Sequence, residues 1–262
     1  MAAEGRAQSA PAVAGDERPA PARPAFYALR PGGWRDYWTL LHPPYTLWHL
    51  SYVALGAAAA PRFDSVRLAA SVVGFFLGVG LTAHALDELS TRPLGTTISD
   101  RMLKAIAALA LAGAVGLGVA GSFEVSWWLL AFVAFGAFIV VAYNMELFGG
   151  RFHSDAWFAL AWGAFPALTG YFAQGGTLGW PAGLVAAGCL LLSAAQRTLS
   201  TPVRHLRRHV AAIEGRMTLR DGTEVDLDDR ALRRAPESAL RTLAAAVVLL
   251  AAGLVAARML AG

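Results

Sequence analysis

The sequence predicts an all-α fold, a polytopic transmembrane bundle of about seven helices with a small β-hairpin insertion, on three observations. Of its 262 residues 56% are hydrophobic and only 15% charged, a balance that soluble domains of this length rarely show. Apolar runs recur near 38–60, 66–89, 102–121, 125–147, 155–174, 179–199 and 238–261, each close to the roughly 20 helical residues that cross a hydrocarbon core of about 30 Å. Basic residues crowd alternate connections: Arg92, Arg101, Lys104, Arg151 and the arginines from Arg197 to Arg241 share one side with the amino-terminal segment, leaving Arg62, Arg67 and Arg258 on the other. By the positive-inside rule the amino terminus is cytoplasmic and the carboxyl terminus outside the cell membrane. The net charge of +4 therefore reads as orientation and contact with anionic lipid. No aromatic-interleaved basic patch points to nucleic acid.

Residues 1–33, rich in Ala, Pro, Gly and Arg, read as a disordered cytoplasmic tail and not a cleavable leader. The transmembrane domain is expected over 34–262, with a cytoplasmic insertion over about 203–236. A Trp and Tyr cluster after Gly33 suits the headgroup layer, so a short interfacial helix is expected up to Leu41. The first spanning helix then starts at Pro43 and Pro44, where the first turn needs no N–H partners. His42 and His49, seven apart, fall on one helical face; His49 reads as an interhelical hydrogen bonder and His42 as a ligand-binding candidate. Cys189, single and mid-helix, reads as a buried packing residue.

The stretch LTAHALDELSTRPLGTTIS, residues 81–99, carries His84, Asp87 and Glu88 out of an apolar run into a basic loop. Ionisable groups at a membrane helix end are tolerated only facing protein, water or a counter-ion, which makes them functional candidates. Offsets of three and four place all three on one face, where they can hold a divalent cation. Arg92 follows in a turn able to meet an anion. Tyr143, Asn144 and Glu146 close the fourth helix, and Arg151, His153 and Asp155 precede the fifth at the same membrane level. Gln196, Arg197, Ser200 and Thr201 end the sixth, with Arg197 assigned to an anionic ligand. Of the residues that follow, Arg207, Arg208 and His209 read as cations beside headgroups, while Arg204 joins Arg197 as a source of charge for an anion. MTLRDGTEVDL alternates around Asp221 and Gly222, predicting a two-stranded ribbon over 216–227 that caps the cytoplasmic opening.

These residues carry a resemblance to the UbiA-type intramembrane prenyltransferase family. LHPPYTLWHLSYVALGAA is similar to the family's first helix, HALDELSTRPL to its first Asp-rich motif with trailing Arg-Pro-Leu, and YNMELFGGRFHSDAWFALAWGAFPALTGYF to its fourth loop and fifth helix. The likeness covers about residues 38–200. It lacks the second Asp-rich motif, where Gln196, Arg197, Ser200 and Thr201 stand, and seven helices replace the common nine. The resemblance implies an isoprenyl diphosphate or related lipid bound through magnesium (Mg2+), then allylic ionisation and transfer to an acceptor. His84, Asp87 and Glu88 would be metal ligands. Arg92, Arg151 and Arg197 would neutralise the diphosphate beside Tyr143, Asn144 and His42. Glu146 or His153 would remove the acceptor's proton. Two rival readings are a non-catalytic lipid-binding or carrier protein on the same fold, and a transition-metal site of His42, His84, His153 and His205 with Glu88 and Glu146.

Overall fold

A computed structural model describes residues 23–261. Among these residues it has eight helices: α1 (Trp34–Leu40), α2 (Pro43–Ala59), α3 (Ser65–Thr91), α4 (Asp100–Glu124), α5 (Leu129–Asn144), α6 (155–175), α7 (Trp180–His209) and α8 (Asp229–Ala261). A two-stranded antiparallel ribbon, β1 (Arg216–Thr218) and β2 (Glu224–Asp226), interrupts the last two. Helices and ribbon stand where the apolar runs and the Asp221-Gly222 turn place them. Four helices, α3, α4, α7 and α8, are long and apolar enough to cross a membrane. Their outward faces carry exposed leucines such as Leu109, Leu184, Leu191 and Leu249, surface that suits hydrocarbon and not water.

Local sequence sets the helix starts. Prolines open α2, while Asp64 caps α3 by accepting from the Val66 and Arg67 amides at 2.8 and 3.0 Å and Ser99 caps α4. Two helices contain π-helical stretches, Phe76–Ala83 in α3 and Leu160–Ala164 in α6. Such stretches rotate the following side chains and are frequent at functional sites.

The core joins α2, α6, α7 and α8 through Trp48, Tyr52, Ala167, Cys189, Leu240 and Val247. Its closest contact is backbone on backbone. A Cβ added at Gly56 would overlap the Ala167 carbonyl oxygen, and one at Gly170 the Val53 carbonyl oxygen. Only glycine lets α2 and α6 approach so far.

The chain's two kinds of connection separate the bundle into two ends. Turns 60–64, 125–128 and 176–179 lie at one, with exposed Trp127, Trp128 and Trp180. At the other lie α1, loops 92–99 and 145–154, and the ribbon. Of the expected tail, residues 1–22 lie outside the described residues. Residues 23–33 lie against this second end: Ala28 is buried, Phe26 packs on the core, and the Leu29 amide donates to Thr39 Oγ1 at 3.0 Å. The ribbon is exposed on both faces and contributes no residue to the cavity described below, so it is not a cap over that opening.

Gly170→Ala is expected to destabilise the protein by about 2 kcal/mol, because neither backbone can yield. Gly116→Ala, at a helical position with open space around it, leaves stability unchanged or slightly raised. Thermal unfolding in detergent, followed by tryptophan fluorescence, compares the two.

Candidate functional site

Two acidic side chains at the second end hold a loop. Glu88 is fully buried, and its carboxylate accepts from the Leu94 amide at 2.9 Å, the Thr96 amide at 2.8 Å and Thr96 Oγ1 at 2.9 Å. Asp36, also buried, accepts from the Gly32 and Thr97 amides and from Thr97 Oγ1. Burial pushes the Asp36 carboxyl up, but the bonds from Thr97 and Gly32 outweigh it and hold its pKa below the ordinary value. These bonds fold residues 92–99 back over the end of α3.

This corrects two expectations. Glu88 turns away from His84 and Asp87 and has both oxygens occupied, so it is a loop latch and not a metal ligand. Arg92, left-handed at the α3 terminus, donates to the Ile98 carbonyl at 2.6 Å and pairs with Asp100. Its charge is committed to the loop. Arg151 is exposed and stands outside the cavity, so it too is not placed to meet a ligand there.

The other predicted residues do come together. His42, His84, Asp87, Tyr143, Asn144, Glu146, His153 and Arg197 line one cavity of about 310 Å³ at the polar end. Helix α7 supplies its basic wall. Gln196, Arg197, Ser200, Arg204 and Arg208 follow the three- and four-residue spacing of one helical face. Arg197 pairs with Asp155 at 2.7 Å and lies over the Phe158 ring. Arg204 donates to the hydroxyls of Ser200 and Thr201, and Arg208 leans toward the Pro24 carbonyl at 3.5 Å. Among the described residues no carboxylate pairs with Arg204 or Arg208.

Imidazoles form the facing wall. The His42 and His84 rings stack with centroids 4.1 Å apart, and His153 stacks on Tyr143 at 4.4 Å. His49 reaches from α2 to the Trp162 carbonyl at 2.8 Å, the interhelical bond expected of it. The Tyr143 hydroxyl and Gln196 Oε1 are buried without a hydrogen-bond partner. An orphaned donor and an orphaned acceptor in one cavity mark a place that a polar ligand completes.

Magnesium takes six hard oxygen ligands, several of them commonly waters or substrate phosphates, so the protein's own share here would come from the cavity carboxylates. Glu88 is withdrawn and Asp155 is held by Arg197, which leaves Asp87 and Glu146 as the carboxylates of the cavity. Among the described residues no three His, Cys, Asp or Glu side chains gather closely enough to hold a metal ion. The His42 and His84 rings are stacked face to face with their planes 29° apart, so their in-plane lone pairs do not meet on one ion at bonding distance. The chemistry left to the cavity is electrostatic: guanidinium groups and a phenol for an anion, imidazoles and a carboxylate for protons.

An apolar cleft of about 450 Å³ adjoins the cavity between α3, α4, α5 and α6, lined by Val79, Leu111, Phe132, Val140 and Phe165. Trp162 lines both spaces, so a polar chamber and a hydrocarbon-lined one share a wall. The sequence reading missed Trp162 and Phe158, and took Arg208 for a headgroup cation. The spacing of seven and then four residues from Arg197 through Arg204 to Arg208, two turns and one turn of a helix, was the available signal.

Glu88→Ala is expected to cost about 3 kcal/mol of stability, since it orphans two buried amides, and to do so equally with magnesium or with a chelator present. Thermal melts in both buffers read this out; a loss confined to the magnesium sample contradicts the latch. Comparison with family models, with characterised proteins and with solved structures finds no match to this chain, so the functional reading rests on this geometry.

Proposed function

We infer that the chain is an integral membrane protein that binds an isoprenoid diphosphate, or an anionic lipid of the same build, and transfers its prenyl group to an acceptor. The observation that carries this reading is the shared wall at Trp162 between an arginine-lined cavity and an apolar cleft. An amphiphile needs that pairing: the head finds compensating charge and the chain leaves water. All seven long helices span the bilayer in this reading. The arginine-rich end faces the cytoplasm, with the amino terminus inside and the carboxyl terminus outside.

Arg197, Arg204 and Arg208, with the Tyr143 hydroxyl, hold the diphosphate. Their charge stabilises it as the allylic C–O bond breaks and the electron pair departs with the leaving group. The acceptor bonds to the allylic carbon and its proton passes to Asp87, Glu146 or His153. Apolar walls exclude the water that would otherwise capture the cation. This reading draws the charge compensation from the arginines and requires no magnesium. A second reading, a lipid-binding or carrier protein without turnover, is favoured by the engagement of Glu88 in the loop, which leaves the head to arginines alone.

Purified protein in detergent, titrated with labelled geranylgeranyl diphosphate, tests the binding. Arg204→Met is expected to weaken it by about tenfold to a hundredfold, and chelation of divalent cations to leave it unchanged. An unaltered affinity in Arg204→Met contradicts the reading. Release of diphosphate on adding candidate acceptors separates transfer from carriage.

A further inference from the structure

The imidazole wall has a property that binding an anion does not use. His42 Nδ1 lies 2.8 Å from the Leu40 carbonyl, His49 Nδ1 2.8 Å from that of Trp162, His84 Nδ1 3.1 Å from that of Gly80, and His153 Nδ1 2.9 Å from that of Tyr143. A carbonyl oxygen only accepts, so each Nδ1 carries the hydrogen. In the neutral ring Nε2 then holds the lone pair. All four rings line the same cavity, and none of the four Nε2 atoms makes a hydrogen bond among the described residues. Gln196 Oε1, buried and without a partner in that cavity, adds another acceptor.

An ionised diphosphate satisfies the arginines and Tyr143 but offers no N–H or O–H to these acceptors. Acceptors that a bound ligand covers and leaves bare cost free energy, so a cavity lined by several of them selects for donors. A metal ion does not answer the need, because the stacked His42 and His84 rings do not converge. An ammonium group answers it less well than a neutral one, because the lining sets Arg197, Arg204 and Arg208 against two carboxylates, Asp87 and Glu146. A neutral hydroxyl fits: it donates to Nε2 or to Gln196 and bears no charge.

We propose that the cavity reads hydroxyl groups beside the anionic head, through His42, His84 and Gln196. The hydroxyls belong either to the same lipid, as in a phosphorylated polyol headgroup, or to a separate alcohol bound next to the phosphate. This rests on the amphiphile reading above for the position of the phosphate.

Two single-chain lipids of equal charge test it, hexadecyl phosphoglycerol and hexadecyl propyl phosphate, which differ only in two hydroxyls. The wild-type protein binds the glycerol ester about tenfold more tightly. That preference collapses in His84→Phe, which keeps the stack on His42 but removes the acceptor, and in Gln196→Leu, while affinity for the propyl ester is retained. A second arm titrates geranylgeranyl diphosphate with and without glycerol. A glycerol-dependent gain in affinity, lost in His84→Phe, assigns the hydroxyl to a separate alcohol. Equal affinity for the two esters with no glycerol effect overturns the inference, as does a preference that survives in both variants. In those cases loss of binding in Arg204→Met still upholds the amphiphile reading, whereas failure of all three amphiphiles to bind defeats both.

Discussion

The backbone contact between α2 and α6 governs the rest of the structure. Gly56 against Ala167 and Val53 against Gly170 bring the two helices to a separation that any side chain would forbid. At that distance His49, one and two turns from Tyr52 and Gly56, reaches the carbonyl of Trp162. Trp162 sits in the π-helical stretch of α6, and its ring forms the boundary between the polar cavity and the apolar cleft. A looser contact would part the His49 bond and open that boundary.

A second constraint sets the charge of the site. The acidic side chains nearest the polar end are largely spent on structure. Glu88 and Asp36 fold the α3–α4 loop, Asp100 holds Arg92, Asp155 holds Arg197, and Glu237 is a buried partner of Arg207 at 2.5 Å. What faces the cavity is three guanidinium groups, Arg197, Arg204 and Arg208, against two carboxylates, Asp87 and Glu146. Such a surplus, walled by low-dielectric helices, draws anions and disfavours cations.

Much of the fold was legible because its signals are local. Apolar runs, the Pro43-Pro44 start and the Asp221-Gly222 turn each depend on a few neighbouring residues. The site was legible in part. Helical spacing put His84 and Asp87 on one face correctly, but Glu88, a further 100° round the helix from Asp87, meets a loop whose fold-back no local pattern reveals. Arg92 follows the same logic, since its direction depends on the left-handed turn it adopts. Whether Arg208 joins the wall depends on how the chain passes Pro202. In the structure α7 continues through it to His209, with Ser200 and Thr201 hydroxyls bonding back to the Arg197 carbonyl. That continuation makes Arg208 part of the cavity wall.

The central claim is that one ligand occupies the cavity and the cleft together, passing Trp162. Photo-crosslinking with an isoprenoid diphosphate carrying a diazirine on its last isoprene unit, mapped by mass spectrometry, tests it directly. The account predicts labels on cleft residues such as Phe132, Val140 and Phe165, abolished by excess unlabelled diphosphate lipid. Labels confined to outward-facing leucines such as Leu184 and Leu249, or insensitive to competition, would contradict it.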